Sequence, residues 1–227
     1  MNIANLITLG NGLSGIFSIA LSLKGEIVPA AHFIYLGMIL DFLDGKVARM
    51  TQSSSIFGKY LDSFADFITF GLAPVFLIEM NDFNMHSMLI AFSLFFYCFC
   101  SVFRLIRFCM NSKDDLNDSF CGLPTPASAG CLVSYLLIIQ NVRINISSTF
   151  LIILIITSSL LMISRVPYNN FSSILRCVPL QYKYLALPVC IVWLVTGNYQ
   201  ILLFILFFMY LMGIEIVNRV CRGKLLY

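Results

Sequence analysis

Asp41-Phe42-Leu43-Asp44-Gly45-Lys46-Val47-Ala48-Arg49 and, eight residues later, Gly58-Lys59-Tyr60-Leu61-Asp62-Ser63-Phe64-Ala65-Asp66 set four carboxylates into a chain otherwise almost free of charge. Of the 227 residues 59% are hydrophobic and only 11% charged, with a mean hydropathy of +0.91, whereas ordinary soluble domains carry about 25% charged residues. No soluble domain fits this composition. The chain reads as an all-α, polytopic integral membrane bundle, since the strict alternation of a membrane barrel does not appear.

Working outward from the aspartates, eight apolar stretches approach the roughly 20 residues that a helix needs to cross a bilayer. They run from Leu6 to Leu23, Val28 to Met50, Phe57 to Glu79, Met85 to Phe108, Thr125 to Gln140, Ser147 to Ser164, Tyr182 to Thr196 and Gln200 to Val217. The fifth and seventh are short, and the seventh carries Pro188, so six or seven spans are the alternatives to eight. Charge supports eight. With the N-terminus inside, twelve of the 14 Lys and Arg fall at cytoplasmic ends and only Lys24 and Arg143 fall outside, as the positive-inside rule asks. Both termini are therefore expected in the cytoplasm. Residues 1–227 are expected to form a single membrane domain, because the longest polar gaps are only Cys109 to Pro124 and Arg165 to Gln181. The second gap mixes Pro167, Tyr168, Phe171 and Ile174 with Arg165 and Arg176, a pattern suited to lying along the membrane interface.

Several function classes drop out. The net charge of +3 comes from basic residues spread over helix ends, facing lipid headgroups rather than nucleic acid. The first apolar stretch lacks the basic flank of a secretory signal and is expected to stay as a span. The eight cysteines lie mainly inside apolar stretches without paired metal-ligand spacing, and His32 and His86 do not complete a zinc site with them. No internal repeat supports an inverted-repeat transporter.

Asp41, Asp44, Gly45, Ala48 and Arg49 stand at i, i+3, i+4, i+7 and i+8, one face of the second helix; Gly58, Asp62 and Asp66 stand at i, i+4 and i+8, one face of the third. The short connection through residues 51–56 makes the two helices antiparallel neighbours. At 1.5 Å per residue, Asp41 lies roughly 14 Å in from Met50 and Asp66 roughly 15 Å in from Ile56, so the two pairs reach a similar depth. A carboxylate at mid-bilayer costs about 2.5 to 3.5 kcal/mol on the most lenient scale, and four facing one another also repel. Hard divalent cations held by oxygen ligands, Mg²⁺ or Mn²⁺, compensate better than Lys46 or Arg49 alone, and four Asp can hold two such ions. Gly45, Ala48 and Gly58 let a flat nucleotide group approach the backbone, although small residues also serve helix packing.

Every position of the stretch matches the D-x2-D-G-x2-A-R-x8-G-x3-D-x3-D signature of the CDP-alcohol phosphotransferases, and on those eight residues the chain resembles that family. The resemblance implies that Asp41, Asp44, Asp62 and Asp66 bind two divalent ions and that Gly45, Ala48, Arg49 and Gly58 help hold the CDP moiety. It implies further that Asp66 acts as general base and that the chain pairs into a homodimer. Thr8 and Asn11 share a face of the first span, where nucleotide contact competes with polar helix packing.

A second region, residues 104–130, bears on the acceptor. Arg104-Leu105-Ile106-Arg107-Phe108, with Phe120-Cys121-Gly122-Leu123-Pro124-Thr125-Pro126-Ala127-Ser128-Ala129-Gly130, resembles the phosphatidylserine synthase branch of the family, with Ser128 where alanine is commoner. That branch implies transfer of the phosphatidyl group of CDP-diacylglycerol to L-serine, with release of CMP, at a site facing the cytoplasm from the cell membrane. Arg104 and Arg107, three apart, can both face one cavity and are candidates for capturing an anion there, against the plainer readings of snorkelling to headgroups or the positive-inside bias. Gly122 and Pro124 make a turn that can line the acceptor pocket. Glycerol 3-phosphate or an inositol compound is the alternative acceptor. A divalent-cation transporter explains the acids but not Gly45, Ala48, Arg49 and Gly58 at their spacing.

Overall fold

The computed structural model describes residues 3–51, 55–81, 88–110, 119–142, 148–169 and 199–212. It is a bundle of helices α1 (Ile3–Leu23), α2 (Ile27–Met50), α3 (Ile56–Asp66), α4 (Ala73–Glu79), α5 (Met88–Met110), α6 (Thr125–Val142), α7 (Ser148–Ile163) and α8 (Tyr199–Met212). Helices α3 and α4 are continuous through a π-helical turn, Phe67–Leu72, so that Ile56–Glu79 forms one 24-residue span. Four helices, α1, α2, this composite and α5, are long and apolar enough to cross a membrane. The expected seventh span, Tyr182 to Thr196, and the end of the eighth lie outside the described residues.

Local chemistry sets the element ends. Helix α1 stops at Gly25, whose φ of +77° suits glycine; its N–H donates to the Ser22 carbonyl, and the Glu26 N–H reaches back to the Leu21 carbonyl. At the next junction the Thr51 hydroxyl donates to the Val47 carbonyl as α2 ends, and the Ser55 Oγ accepts from the Gly58 N–H at 2.9 Å as α3 begins. Helix α1 packs against both α2 and α3, and these two, rather than lying side by side as the short connection predicts, meet through their aspartate side chains.

Hydrogen bonds between elements define the two ends of the bundle. At one end the Lys59 ammonium, at the start of α3, donates to the carbonyls of Phe108 and Cys109 at the end of α5. The start of α6 joins the end of α7 there, where the Gly122 N–H donates to Val166 O and the Leu123 N–H to Leu161 O. At the other end Gln140 donates to Asn81, Asn141 to Gln200, and His32 near the start of α2 meets the Tyr199 hydroxyl at 2.6 Å. Large apolar side chains fill the volume between, among them Ile34, Phe70, Leu77, Leu132, Leu136, Leu151 and Ile155, all at most 2% exposed. Leu6, Leu13, Ile16 and Phe17 of α1 and Phe92, Phe95 and Phe99 of α5 point outward, as lipid-facing residues do.

Two features depart from a purely α-helical expectation. Ser119–Cys121 (β1) and Pro167–Asn169 (β2) pair antiparallel in the register Ser119 with Asn169, Phe120 with Tyr168 and Cys121 with Pro167. Both segments leave helices at the same end of the bundle, and their backbone groups satisfy one another rather than stay orphaned. Pro167–Asn169 therefore belongs to this ribbon; the rest of the segment expected along the interface, from residue 170, lies outside the described residues. The second departure is the π turn, which starts one residue after Asp66.

Candidate active site and metal centre

Helices α2 and α3 carry the aspartates to a common level, as their spacing predicts. Carboxylate oxygens of Asp41, Asp62 and Asp66 all lie within 4.8 Å of one another. Asp44, only 4% exposed, stands beside this trio, close enough to act electrostatically on Asp41 and Asp62, and faces the Thr8 hydroxyl of α1. Two unit negative charges at such a separation repel by about 3 kcal/mol at an effective dielectric near 20. Moreover, Asp44 Oδ2 and Asp62 Oδ1 are buried and have no hydrogen-bond partner. Converging, hard, unsatisfied oxygen donors are what a divalent cation of the Mg²⁺ or Mn²⁺ type requires, so these residues fit such an ion.

The small residues of the signature divide into two kinds. Gly45 is exposed, and a Cβ built on it would meet nothing within 4 Å, so the space above it is open to a ligand. Gly58 is half-buried: its Cβ would lie 3.0 Å from Asn5 Oδ1 and 3.1 Å from Ser55 Oγ, against α1 and its own cap. Ala48 is half-buried, and the exposed Arg49 folds back so that its Nε donates to the Gly45 carbonyl at 3.0 Å. Thr8 is buried and donates to Ala4 O at 3.0 Å.

Arg104 and Arg107 part company. Arg104, 9% exposed, donates from Nη1 to Thr125 Oγ1 at 2.8 Å and faces Asp66, Asp41 and Tyr210 of α8; its buried Nε has no partner. Arg107 instead grips the end of α7, donating to the carbonyls of Ile163 at 2.8 Å, Met162 at 3.2 Å and Ser164 at 3.4 Å. It thereby satisfies carbonyls that a helix C-terminus leaves open. Gly122, at φ +87°, passes close to this grip: a Cβ there would lie 2.7 Å from Arg107 Nη2 and 2.9 Å from Ser164 O. The Pro124 carbonyl accepts from Ser128 N–H in the first turn of α6. The shared arginine cavity expected from the i, i+3 spacing is thus divided, with one guanidinium beside the acids and the other on backbone.

Spacing alone missed two participants: Thr125 holds Arg104, and Tyr210 approaches it from α8. Asn11, a candidate nucleotide contact by sequence, donates from Nδ2 to Asp66 Oδ1 at 3.1 Å. The only sequence signal for Asn11 is its place on the polar face of α1 with Thr8, which also suits simple packing.

A sequence model of CDP-alcohol phosphatidyltransferases matches residues 1–165, and the chain belongs to that family. Within it, the chain is similar to proteins named CDP-diacylglycerol–serine O-phosphatidyltransferase: 37% identical to that of Methanocaldococcus jannaschii over 75% of each chain, and 33% identical to that of Bacillus subtilis over 73% of this chain and 89% of the relative. An archaetidylserine synthase of Methanothermobacter thermautotrophicus is 35% identical over 72% of this chain and 68% of its own. The matched residues 1–165 contain all four aspartates, Arg104 and the turn at Gly122.

Proposed function

We propose that this chain is the membrane enzyme that transfers the phosphatidyl group of CDP-diacylglycerol to the hydroxyl of L-serine, giving phosphatidylserine and CMP. The observation that carries the reading is the meeting of Asp41, Asp62 and Asp66 within 4.8 Å on an intact family signature, with Asp44 beside them. The names of the similar proteins support serine as the acceptor.

In the reaction a new bond forms between the serine oxygen and the phosphorus bearing the lipid, and the bond from that phosphorus to the bridging oxygen breaks, CMP leaving with the electron pair. Asp66 takes the proton of the serine hydroxyl onto its carboxylate as the oxygen attacks. Two divalent ions, Mg²⁺ or Mn²⁺, when held by Asp41, Asp44, Asp62 and Asp66, supply charge neutralisation for the pyrophosphate and the departing CMP. The open floor over Gly45, with Ala48, Arg49, Gly58 and Thr8 around it, receives the CDP group. Arg104, buried beside the acids with an unpartnered Nε, binds the serine carboxylate, and the fork geometry of guanidinium suits that group. Gly122 and Pro124 shape the wall on which Arg104 and Thr125 meet, while Arg107 braces that wall through α7.

The 227 residues act as one membrane domain of eight spans, with both termini and the active site on the cytoplasmic side of the cell membrane. The four long apolar helices among the described residues, and the apolar runs that follow them in the sequence, support that count. The positive-inside bias supports the orientation. The family resemblance extends the proposal to a homodimer, which cross-linking in native membranes tests.

The deciding experiment gives the purified chain CDP-diacylglycerol and Mn²⁺ with serine, glycerol 3-phosphate or inositol in parallel, and measures CMP. Release dependent on serine is expected. Release with glycerol 3-phosphate or inositol alone would reassign the acceptor, and no release with any of them, together with Mn²⁺ flux into liposomes, would replace the enzyme by an ion carrier.

A further inference from the structure

We infer that Asn11 is a positioning residue for the Asp66 carboxylate rather than a contact for the nucleotide. The inference rests on the reading of Asp66 as the base. Asn11 is fully buried, and its side chain lies against Gly37 of α2 and Asp66. Its amide donates to Asp66 Oδ1 at 3.1 Å. Its backbone carbonyl accepts from the Thr69 hydroxyl at 2.9 Å, three residues further along the same span, and from Ser14 Oγ at 2.6 Å. Asp66 and Thr69 therefore fasten to one residue of α1 from either side of the point where the α-helix widens into the π turn.

The neighbouring glycine makes the approach possible. A Cβ at Gly15 would lie 2.8 Å from Thr69 Cα and 2.6 Å from its Oγ1, so α1 and the π turn are in backbone contact just where the two hydrogen bonds form. With Oδ1 engaged by an N–H, the Asp66 carboxylate loses its freedom to rotate and keeps a fixed orientation toward Asp41 and Asp62. An aspartate that must both join the acid cluster and take a proton at a defined point gains from such a restraint. A nucleotide contact predicts something different, namely weaker CDP-diacylglycerol binding with an unchanged chemical step.

The test uses the full chain in lipid nanodiscs and compares Asn11→Ala, Asn11→Ser and Asp66→Asn with the parent protein, reading kcat, KM for CDP-diacylglycerol, Mn²⁺ affinity by electron paramagnetic resonance, and thermal midpoint. Asn11→Ala is expected to lower kcat or Mn²⁺ affinity by about 10- to 100-fold, with KM for CDP-diacylglycerol unchanged. If Asn11→Ala does not fold, Asn11→Ser is judged by the same criterion; its small polar side chain resembles Ser14 and Ser18 on the same helix. A raised KM at constant kcat would restore the nucleotide reading. A lowered midpoint with kcat, KM and Mn²⁺ affinity intact would reduce Asn11 to helix packing and overturn the inference. Asp66→Asn separates the two levels. Full activity in that variant removes Asp66 as base, and the role of Asn11 with it, while serine transfer stands; an inactive Asp66→Asn beside a fully active Asn11→Ala overturns only the role of Asn11.

Discussion

Helices α1 to α3 and helices α5 to α8 are held together by different physics. In the first group backbones come close and small or polar residues make the contacts. A Cβ at Gly37 would lie 2.7 Å from Ser14 Oγ, the Ser18 hydroxyl donates to Ala30 O across to α2, and Thr69 donates to Asn11 O across to α1. In the second group hydrogen bonds lie at the two ends, and bulk fills the space between. Leu132, Leu136, Leu151, Ile155 and Met162 are buried, and the rings of Phe150, Tyr135, Phe204 and Phe208 lie 5.2 to 5.6 Å apart in succession. Lipid tails are as apolar as leucine, so burial of apolar surface drives no association between helices in a bilayer; close approach and hydrogen bonds do. The acids sit in the group whose geometry is fixed by directional contacts, and the apolar group closes the bundle around it.

The largest effect belongs to the acids themselves. Asp66→Asn keeps the shape and removes the proton acceptor, and kcat for serine-dependent CMP release is expected to fall by about 10² to 10⁴-fold. A chelator should abolish the same activity, and added Mn²⁺ or Mg²⁺ should restore it, because the unpartnered oxygens of Asp44 and Asp62 lose the charge that compensates them. If a protein carrying Asp66→Asn turned over normally, the directional half of the molecule would have no special claim on the chemistry.

Next comes packing in the directional half. Gly15→Leu puts a branched side chain where even a Cβ would collide with the backbone of Thr69, so the helices must separate. The expected cost is at least about 3 kcal/mol, the upper part of the usual range for overpacking, measured as lost stability to denaturant in micelles. Activity should fall further than the folded fraction does, since separation of α1 from the π turn also moves Asp66.

How far the sequence reveals these differences varies by element. The first four spans are legible because long apolar runs leave a helix in lipid no alternative. The faces of α2 and α3 follow from the 3.6-residue period, which brings Asp41, Asp62 and Asp66 together as expected. The π turn is not legible: Phe67 to Leu72 contains no proline, and its geometry accompanies tertiary bonds, Thr69 to Asn11 O and Tyr97 to Phe70 O. The pairing of residues 119–121 with 167–169 depends on where α5 and α7 end in space, which periodicity does not specify. Arg104 and Arg107 look equivalent in sequence because i, i+3 residues share a helix face. What separates them is that one turn of offset brings Arg107 level with the last carbonyls of α7.

That separation gives the third contrast. Arg104→Lys retains the charge but removes the planar fork, and it should raise KM for serine with little loss of stability. Arg107→Lys should do the reverse. It gives up several bonds to the carbonyls of Met162, Ile163 and Ser164, and stability should fall by about 1.5 to 3 kcal/mol while KM for serine holds. If both substitutions raised KM for serine alike, the two guanidiniums would share one pocket after all.

The smallest effect tests the apolar half. Leu136 is fully buried on α6, yet Leu136→Met conserves volume, and methionine's flexible chain refills the same space. Stability should drop by less than about 1.5 kcal/mol and kcat should be unchanged, because no directional contact to the acids passes through that side chain. Ser18→Ala, a smaller excision in the other half, removes one interhelical hydrogen bond worth about 0.6 kcal/mol on average in a membrane protein. Its decisive readout is therefore kcat rather than stability: Ser18 ties α1 to α2 two turns from Asn11, and loosening that tie lets the register of α1 drift against both aspartate helices. A fall in kcat for Ser18→Ala larger than its stability cost accounts for, beside an unchanged kcat for Leu136→Met, would show that directional contacts fix the site and bulk does not.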